Sequence, residues 1–176
     1  GVIIALAVLV VAAVGGWRYW QHYQRTQAEA AATRYQEALR LDQEGKSEEA
    51  AQTLRGLTTD AAAGYRLLAR FRLAAELGQQ STEDGAKAFD ALAGEGGVPP
   101  LLQDLARLRA AMLRLDGDPA AAQRALEQLA NPANSWRHTA REMLGLAALK
   151  RSDYDGAGRW FDQIAADRET PQSLRS

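Results

Sequence analysis

The sequence predicts an all-α protein in which an apolar N-terminal helix precedes a stack of about four two-helix hairpins. Three observations support this fold class. Ala and Leu are prominent in a chain of 176 residues that is 47% hydrophobic, and β-branched residues are few after Val14. A pattern of small, large and apolar residues also recurs at a nearly constant interval. The length suffices for one domain with an appendage.

The clearest hairpin lies near the C-terminus. Its first helix carries the small residue Gly145, and residues 150–153 then interrupt the apolar pattern. Ala157, Phe161 and Ile164 follow at helical spacing on the second helix. Gly145 and Ala157 are expected to let the two helix axes approach closely, and Phe161 is expected to fill the remaining gap.

The same triad of a small residue, a large residue four positions later and an apolar residue three positions further on occurs four times. The triads are Ala50, Leu54 and Leu57; Gly85, Phe89 and Leu92; Ala122, Leu126 and Leu129; and Ala157, Phe161 and Ile164. Their first members lie 35, 37 and 35 residues apart. The hairpins therefore resemble tetratricopeptide repeats, which have a period of ~34 residues. Because a single hairpin cannot bury both faces, we expect the copies to stack into an α-solenoid. Its shared seam is predicted to contain Leu54, Phe89, Leu126 and Phe161.

Residues 1–20 are predicted to form a single transmembrane helix. Residues 1–16 have no charged or polar side chain, and twenty helical residues span ~30 Å, the thickness of the hydrocarbon core. The predicted membrane-interface residues are Trp17, Arg18, Tyr19 and Trp20. A cleaved signal peptide is the first alternative, although the apolar run continues into bulky aromatic residues. A buried core helix is the second, although the segment has no polar face.

Helix-breaking residues organise the rest of the chain. The predicted domains are the anchor (1–20), a helical stalk (21–32), the repeat domain (33–170) and the start of a C-terminal cap (171–176). No Pro or Gly interrupts residues 17–44, so the anchor helix is expected to continue through the stalk into the first repeat. Breaks are predicted at Gly45, residues 94–100, Asp116-Gly117 and residues 131–135. Predicted N-caps are Ser47, Ser81 or Thr82, and Asp118.

No catalytic, cofactor or metal site is predicted. His22 and His138 have no Cys, His or paired carboxylate at ligand spacing. The absence of Cys excludes thiolate metal sites and cysteine nucleophiles. A net charge of −1 gives no electrostatic support for nucleic-acid binding, and nothing indicates a small-molecule substrate. After the anchor and four hairpins no residues remain for a catalytic domain, so the protein is not expected to be an enzyme.

Arginines on two predicted first helices are candidate partner-binding residues. Arg66, Arg70 and Arg72 lie in the second hairpin, and Arg107, Arg109 and Arg114 lie in the third. First helices line the inner wall of such arrays, where an arginine stripe would suit acidic segments. The alternative is that these arginines lie on a solvent-exposed helix face, where the carboxylates of Glu76 and Asp104 balance their charge.

Trp160 is a further candidate for partner binding. It is adjacent to Phe161, and adjacent helical residues point about 100° apart, so the two side chains cannot both fill the same seam. One of them is expected to face a neighbour, which is either the C-terminal cap helix or a partner protein. The alternative role for Trp160, Phe161 and Trp136 is a filled hydrophobic core.

Three segments resemble the YfgM-like ancillary subunits of the Sec translocon in Gram-negative bacteria. They are GWRYW (16–20), TRYQEAL (33–39) and LGLAALKRSDYDGAGRWFDQI (144–164). The chain departs from that family in its arginine-rich second and third hairpins, in the missing N-terminal tail that we expect to precede it, and in a shortened C-terminus.

The resemblance implies a non-enzymatic, single-pass protein of the bacterial inner membrane with its repeat domain in the periplasm. It also implies contacts with the SecYEG channel and with a membrane-anchored periplasmic chaperone of the peptidyl-prolyl isomerase type, which together pass exported proteins toward folding. Arg18 and Arg25 follow the span and would by themselves favour the opposite orientation. A scaffold for another envelope assembly, such as division or outer-membrane biogenesis, without a translocon role is the alternative.

Overall fold

The computed structural model describes residues 2–174, and it describes side chains from residue 9 onward with the exception of residue 11. The α-helices are α1 (Val2–Gln43), α2 (Ser47–Asp60), α3 (Ala63–Gln80), α4 (Thr82–Gly94), α5 (Pro100–Arg114), α6 (Pro119–Leu129), α7 (Arg137–Lys150) and α8 (Tyr154–Ala166). A short 3-10 helix, Gln172–Leu174, follows them. The described residues contain no strand, which confirms the all-α prediction.

The chain divides into two compact units, Gly1–Leu73 and Ala74–Ser176. The predicted division into anchor, stalk, repeat domain and cap is a different partition and stays a prediction. The boundary between the units lies inside α3.

The first unit is organised by α1, an unbroken helix of 42 residues. Its continuity confirms the expectation drawn from the absence of Pro and Gly in residues 17–44. Among the described side chains of α1, those before Ala28 are exposed and the buried ones lie in the C-terminal part of the helix. The core of this unit consists of Ala31, Ala38, Leu54, Leu57, Ala61 and Ala69, with Tyr35, Tyr65 and Leu73 packed against them.

Within the described residues, no helix combines the length and the apolar character needed to cross a membrane. The structure therefore does not support the predicted transmembrane anchor at residues 1–20. Part of that segment, namely residue 1 and the side chains of residues 2–8 and 11, lies outside the described residues.

Two of the predicted N-caps are confirmed and one is wrong. Ser81 Oγ accepts a hydrogen bond from the backbone N–H of Asp84 at 3.3 Å. Asp118 Oδ1 accepts one from the backbone N–H of Ala121 at 3.0 Å. Ser47, in contrast, is already the first helical residue, and Lys46 holds the N-cap position without a side-chain bond. The reason is a tight turn after α1, in which Gly45 adopts a φ of 77° and Lys46 N–H donates to the Leu41 carbonyl at 2.9 Å.

Three of the four predicted seam residues are fully buried. Leu54, Phe89 and Leu126 expose 1%, 4% and 0% of their surface. Phe161 is only half-buried, but its ring covers Gly145 as expected. The described helices thus bury the small residues of all four triads and the large residues of the first three.

In the second unit, two glycines bring α3 and α4 into backbone contact. A Cβ atom built on Gly85 would lie 2.4 Å from the Cα atom of Gly78. No side chain fits between the helices at this point. The close approach of α3 and α4 therefore explains why the first member of the second triad, Gly85, has no side chain.

Candidate functional site

Two candidate arginines of the first unit, Arg66 and Arg72, contact neighbouring segments of the same unit. Arg66 Nη1 donates to the backbone carbonyl of Ala61 at 3.1 Å. Arg70 is half-buried. Arg72, on the same helix, forms an ion pair with Asp42 at the end of α1. The Arg72–Asp42 pair therefore ties α3 to the first hairpin, a structural role that the sequence did not indicate.

Arg107 lies at the centre of a polar network in the second unit. Its Nη1 atom is 2.7 Å from Asp104 Oδ1, and its Nη2 atom donates to the Ala93 carbonyl at 3.0 Å. Asp104 Oδ2 also accepts from Asn134 Nδ2 at 2.8 Å. Arg107 and Asp104 thus connect α5 to the end of α4 and to the loop before α7. Asp104 therefore balances the positive charge of Arg107, as the alternative interpretation of the arginines expected.

Arg114 bridges α5 to α4. Its Nη2 atom is 2.6 Å from Asp90 Oδ2, and its Nε atom is 3.9 Å from Glu83 Oε2. The hydrogen bond that Arg114 donates to the Asp90 carboxylate raises the pKa of Arg114 above its ordinary value. Glu76, the other expected counter-charge, is buried rather than solvated, and Arg109 is exposed. Arg114 therefore has anionic partners within its own unit, while its proposed role toward a partner protein stays a prediction.

Trp160 packs against the hydrophobic core of the second unit and is half-buried. That core contains Leu108, Ala111, Ala122, Leu126, Leu129, Ala130, Ala140 and Leu144. Where a C-terminal cap helix was expected, the described residues after α8 contain the short 3-10 helix Gln172–Leu174. Trp136 packs on the same core and donates from Nε1 to the Leu101 carbonyl at 3.0 Å. The indole rings of Trp136 and Trp160 thus both pack on the core. Partner binding by Trp160 stays a prediction.

The predicted membrane-interface residues form an exposed aromatic group on α1. Trp17, Tyr19 and Trp20 expose 61%, 75% and 54% of their surface, and Arg18 between them is also exposed. The Trp17 and Trp20 ring centroids are 5.7 Å apart, as expected for residues one helical turn apart. The structure brings these four residues together on one short stretch of helix.

A polar cluster at the C-terminal end was missed by the sequence analysis. Asp167 follows α8, and its Oδ2 atom lies 2.8 Å from Arg137 Nε and 3.3 Å from Arg141 Nη1 on α7. Arg137 Nη2 also lies 2.5 Å from Glu169 Oε2. The Arg137 guanidinium holds the pKa of Asp167 well below its usual range. Asp167 and Glu169 thereby fasten the chain after α8 to the first turn of α7.

His138 and Thr170 form the buried part of the same cluster. Thr170 Oγ1 lies 3.2 Å from His138 Nδ1 and donates to the Ile164 carbonyl at 2.6 Å. His138 Nε2 lies 3.8 Å from Asp167 Oδ2. Burial and the charge of Arg137 lower the pKa of His138. The only sequence signals were the charge-rich segments RHTAR and DRET, and no spacing rule connects segments about thirty residues apart.

The described residues contain no group of three or more His, Cys, Asp or Glu side chains placed to hold a metal ion. Thr170 is the hydroxyl nearest to a histidine in the polar cluster, and it is buried with its proton directed at a carbonyl. An activated nucleophile needs an exposed hydroxyl whose proton points to its base. The cluster is therefore suited to holding the chain end and not to nucleophilic catalysis.

A family model described as a tetratricopeptide repeat-like domain matches residues 1–174 of the chain. No curated protein and no solved structure matches the chain. The family match includes the eight α-helices that the structure describes, and it extends over the N-terminal part of α1 as well as the repeated hairpins.

Proposed function

Because this chain belongs to the tetratricopeptide repeat-like domain family, we propose that it is a non-enzymatic adaptor that binds other proteins. The observation that carries this proposal is the family match along the helical hairpins. Arrays of such hairpins present side chains from many helices and bind peptides or partner helices without performing chemistry. Membership in this family supports binding to protein partners in general.

The proposed partners are the SecYEG channel and a membrane-anchored periplasmic chaperone of the isomerase type. This finer assignment is supported by the sequence resemblance alone, with GWRYW (16–20) as its most specific segment. The proposed setting is the bacterial inner membrane, with residues 1–20 as anchor and the repeat domain in the periplasm. The exposed Trp17, Tyr19 and Trp20 are consistent with an interface position. Anchoring raises the effective concentration of the domain beside other membrane components, so weak contacts suffice.

Photo-crosslinking from Trp17 or Trp20 tests the proposed partners. A crosslinking amino acid at either position is expected to capture channel subunits in native membranes, and the same amino acid at the exposed Gln52 serves as the control in α2. Capture of division or outer-membrane biogenesis proteins instead would favour the alternative scaffold role. Deletion of residues 1–20 is expected to abolish co-purification with the channel, and undiminished recovery would contradict the proposed anchor.

The proposed orientation is tested with one introduced cysteine. The chain has no Cys, so Gln52→Cys on the exposed face of α2 provides a single thiol. A membrane-impermeant thiol reagent is expected to label it once the outer membrane is permeabilised. Labelling that requires access to the cytosol would overturn the periplasmic placement.

A further inference from the structure

Charge is distributed unevenly along the chain, and the N-terminal part of α1 is basic. Residues 1–28 contain two arginines and no acidic residue, so their charge is +2, whereas residues 29–176 carry a charge of −3. Arg18 and Arg25 are exposed, and so is His22 between them. Among the residues that the structure describes, neither of these arginines has an ion pair. The positive charge of this segment is therefore directed to solvent.

Helical periodicity places these three side chains on one side of α1. At about 100° per residue, Arg18, His22 and Arg25 lie within about 60° of one another. We call these three residues the basic stripe. The stripe is about 10 Å long, at 1.5 Å per residue. It ends at Glu29, the first acidic residue of the chain, which lies on the same side of α1 one turn beyond Arg25.

The other sides of the same segment are aromatic. Trp17, Tyr19, Trp20 and Tyr23 expose between 54% and 75% of their surface. Each of them points at least about 100° away from Arg18. Exposed Trp and Tyr are enriched at the level of lipid headgroups, where the ring meets apolar chains and the polar tip stays hydrated. The basic stripe thus lies at the same height on α1 as side chains that suit a membrane interface.

Arginine is well suited to the phosphate group of a phospholipid. Its planar guanidinium group donates two parallel hydrogen bonds to phosphate oxygens and is always charged. His22 adds a further donor between the two arginines, even as a neutral ring. In a zwitterionic headgroup the phosphate charge is offset by a cation of the same lipid, whereas an anionic headgroup keeps its net negative charge. Charge complementarity therefore favours anionic lipid beside the stripe.

We propose that the basic stripe binds anionic phospholipid headgroups and holds residues 17–25 against a negatively charged bilayer surface. The proposal rests on the proposed membrane setting, but it requires neither contact with SecYEG nor a bilayer-spanning course of residues 1–16. With residues 1–20 as anchor, Arg18 lies in the headgroup layer. Arg25 then lies about 10 Å further out, and its long side chain reaches back toward the phosphates. Both arginines thus act on the same leaflet.

Quenching of tryptophan fluorescence by brominated lipids tests the proposal. The full chain is reconstituted in vesicles with equal amounts of phosphatidylcholine and phosphatidylglycerol, and only one of the two lipids carries bromine on its acyl chains. Trp17 and Trp20 report which lipid lies beside the segment, because bromine quenches an indole on contact. The signal that remains in Trp17→Phe/Trp20→Phe comes from Trp136 and Trp160 and is subtracted.

At low salt we expect brominated phosphatidylglycerol to quench more strongly than brominated phosphatidylcholine. The expected preference is up to about fivefold for each arginine at the surface. At about 1 M salt the preference is expected to approach one, because exposed charges are then screened within ~3 Å. Equal quenching by the two lipids at low salt would overturn the proposal, and it is the result expected if the stripe binds an acidic segment of a protein instead.

A double variant locates the preference in the stripe. Arg18→Gln/Arg25→Gln is expected to be quenched equally by the two brominated lipids. Arg109→Gln/Arg159→Gln is the matched control, because it removes the same charge from two exposed arginines, on α5 and α8. The control is expected to keep the preference of the wild type. A preference that survives in Arg18→Gln/Arg25→Gln, or one that is lost in the control, would contradict the stripe.

Vesicles of phosphatidylcholine alone separate this proposal from the proposed anchor. Retention of the chain on these vesicles, without a preference for phosphatidylglycerol in the mixture, would support the anchor and overturn the stripe. Binding that requires phosphatidylglycerol and is lost at high salt would support the stripe and contradict the anchor. Failure to bind either kind of vesicle would contradict both.

Discussion

The ring of Phe161 occupies the space in which a side chain on Gly145 would begin. A Cβ atom built on Gly145 would lie 2.6 Å from both the Cε1 and the Cζ atoms of that ring. α7 and α8 approach closely because α7 has no side chain at Gly145, where α8 places the ring of Phe161. The pair is the local basis of the last hairpin and provides a direct test of its packing.

Gly145→Ala is expected to destabilise the protein by roughly 1–3 kcal/mol, because overpacking the α7–α8 contact outweighs the better helix propensity of Ala. Gly158→Ala is the matched control on α8, since a Cβ atom there meets nothing within 4 Å. The control is expected to be neutral or stabilising by up to ~1 kcal/mol. Chemical denaturation followed by circular dichroism measures both, and a shift in the same direction for both variants would contradict this packing.

Gly85→Ala is expected to be more harmful than Gly145→Ala. Its Cβ atom would meet the backbone of Gly78, at 2.4 Å from Cα and 2.5 Å from N. Backbone atoms in a helix cannot turn away as an aromatic ring can, so α3 and α4 would have to separate. The loss is expected to reach about 3 kcal/mol. Gly94→Ala has open space around its Cβ, and its stability in the same denaturation measurement should match the wild type within ~0.5 kcal/mol.

Asp118→Ala is expected to cost about 1 kcal/mol, because it removes the side-chain cap of α6. The nearby Asp116→Ala changes the same residue type without touching a cap. Asp116 forms an exposed pair with Lys150 at 2.5 Å, and exposed pairs contribute roughly 0–1 kcal/mol. Thermal unfolding should therefore rank Asp118→Ala as the less stable variant. Equal melting temperatures would indicate that the Asp118 bond to Ala121 does not support α6.

Asp167→Asn is expected to lower the melting temperature at neutral pH, because Arg141 loses its carboxylate partner and Arg137 keeps only Glu169. The folded pKa of Asp167 is depressed, so its contribution to stability is present above the ordinary aspartate pKa of ~3.9 and is lost as the pH falls through the lower folded value. The difference between variant and wild type should therefore be constant from neutral pH to about pH 5 and shrink at stronger acidity. Asp162→Asn, an exposed residue of α8, is the control that should show no such difference.

The elements that sequence reasoning located correctly are those with strong local signals. The loop GEGGVPP separates α4 and α5 where expected, and Asp118 followed by Pro119 begins α6. The repeated triads also indicated the buried residues Leu54, Phe89 and Leu126. Each of these signals lies within a few residues of the feature that it indicates, so tertiary structure is not needed to read it.

Contacts between distant segments could not be predicted in the same way. Arg137 and Asp167 are thirty residues apart and meet only because α8 returns the chain to the start of α7. Arg114 was a candidate for partner binding with a solvated helix face as the alternative, and neither reading indicated that Asp90 and Glu83 of α4 lie next to its guanidinium group. Helical periodicity gives the side of a helix on which a residue lies, but it does not give the side chains that the adjacent helix places opposite.

The unbroken course of α1 has a mechanical consequence. A helix of 42 residues is a lever about 63 Å long, at 1.5 Å per residue. One end of the helix is fixed in the first hairpin by the buried side chains of Ala31, Ala38 and Leu41. The sequence of α1 contains no Pro that would kink the helix. Any force or rotation applied near its N-terminus is therefore transmitted along the rod, so that whatever grips that end also sets the orientation of the first hairpin.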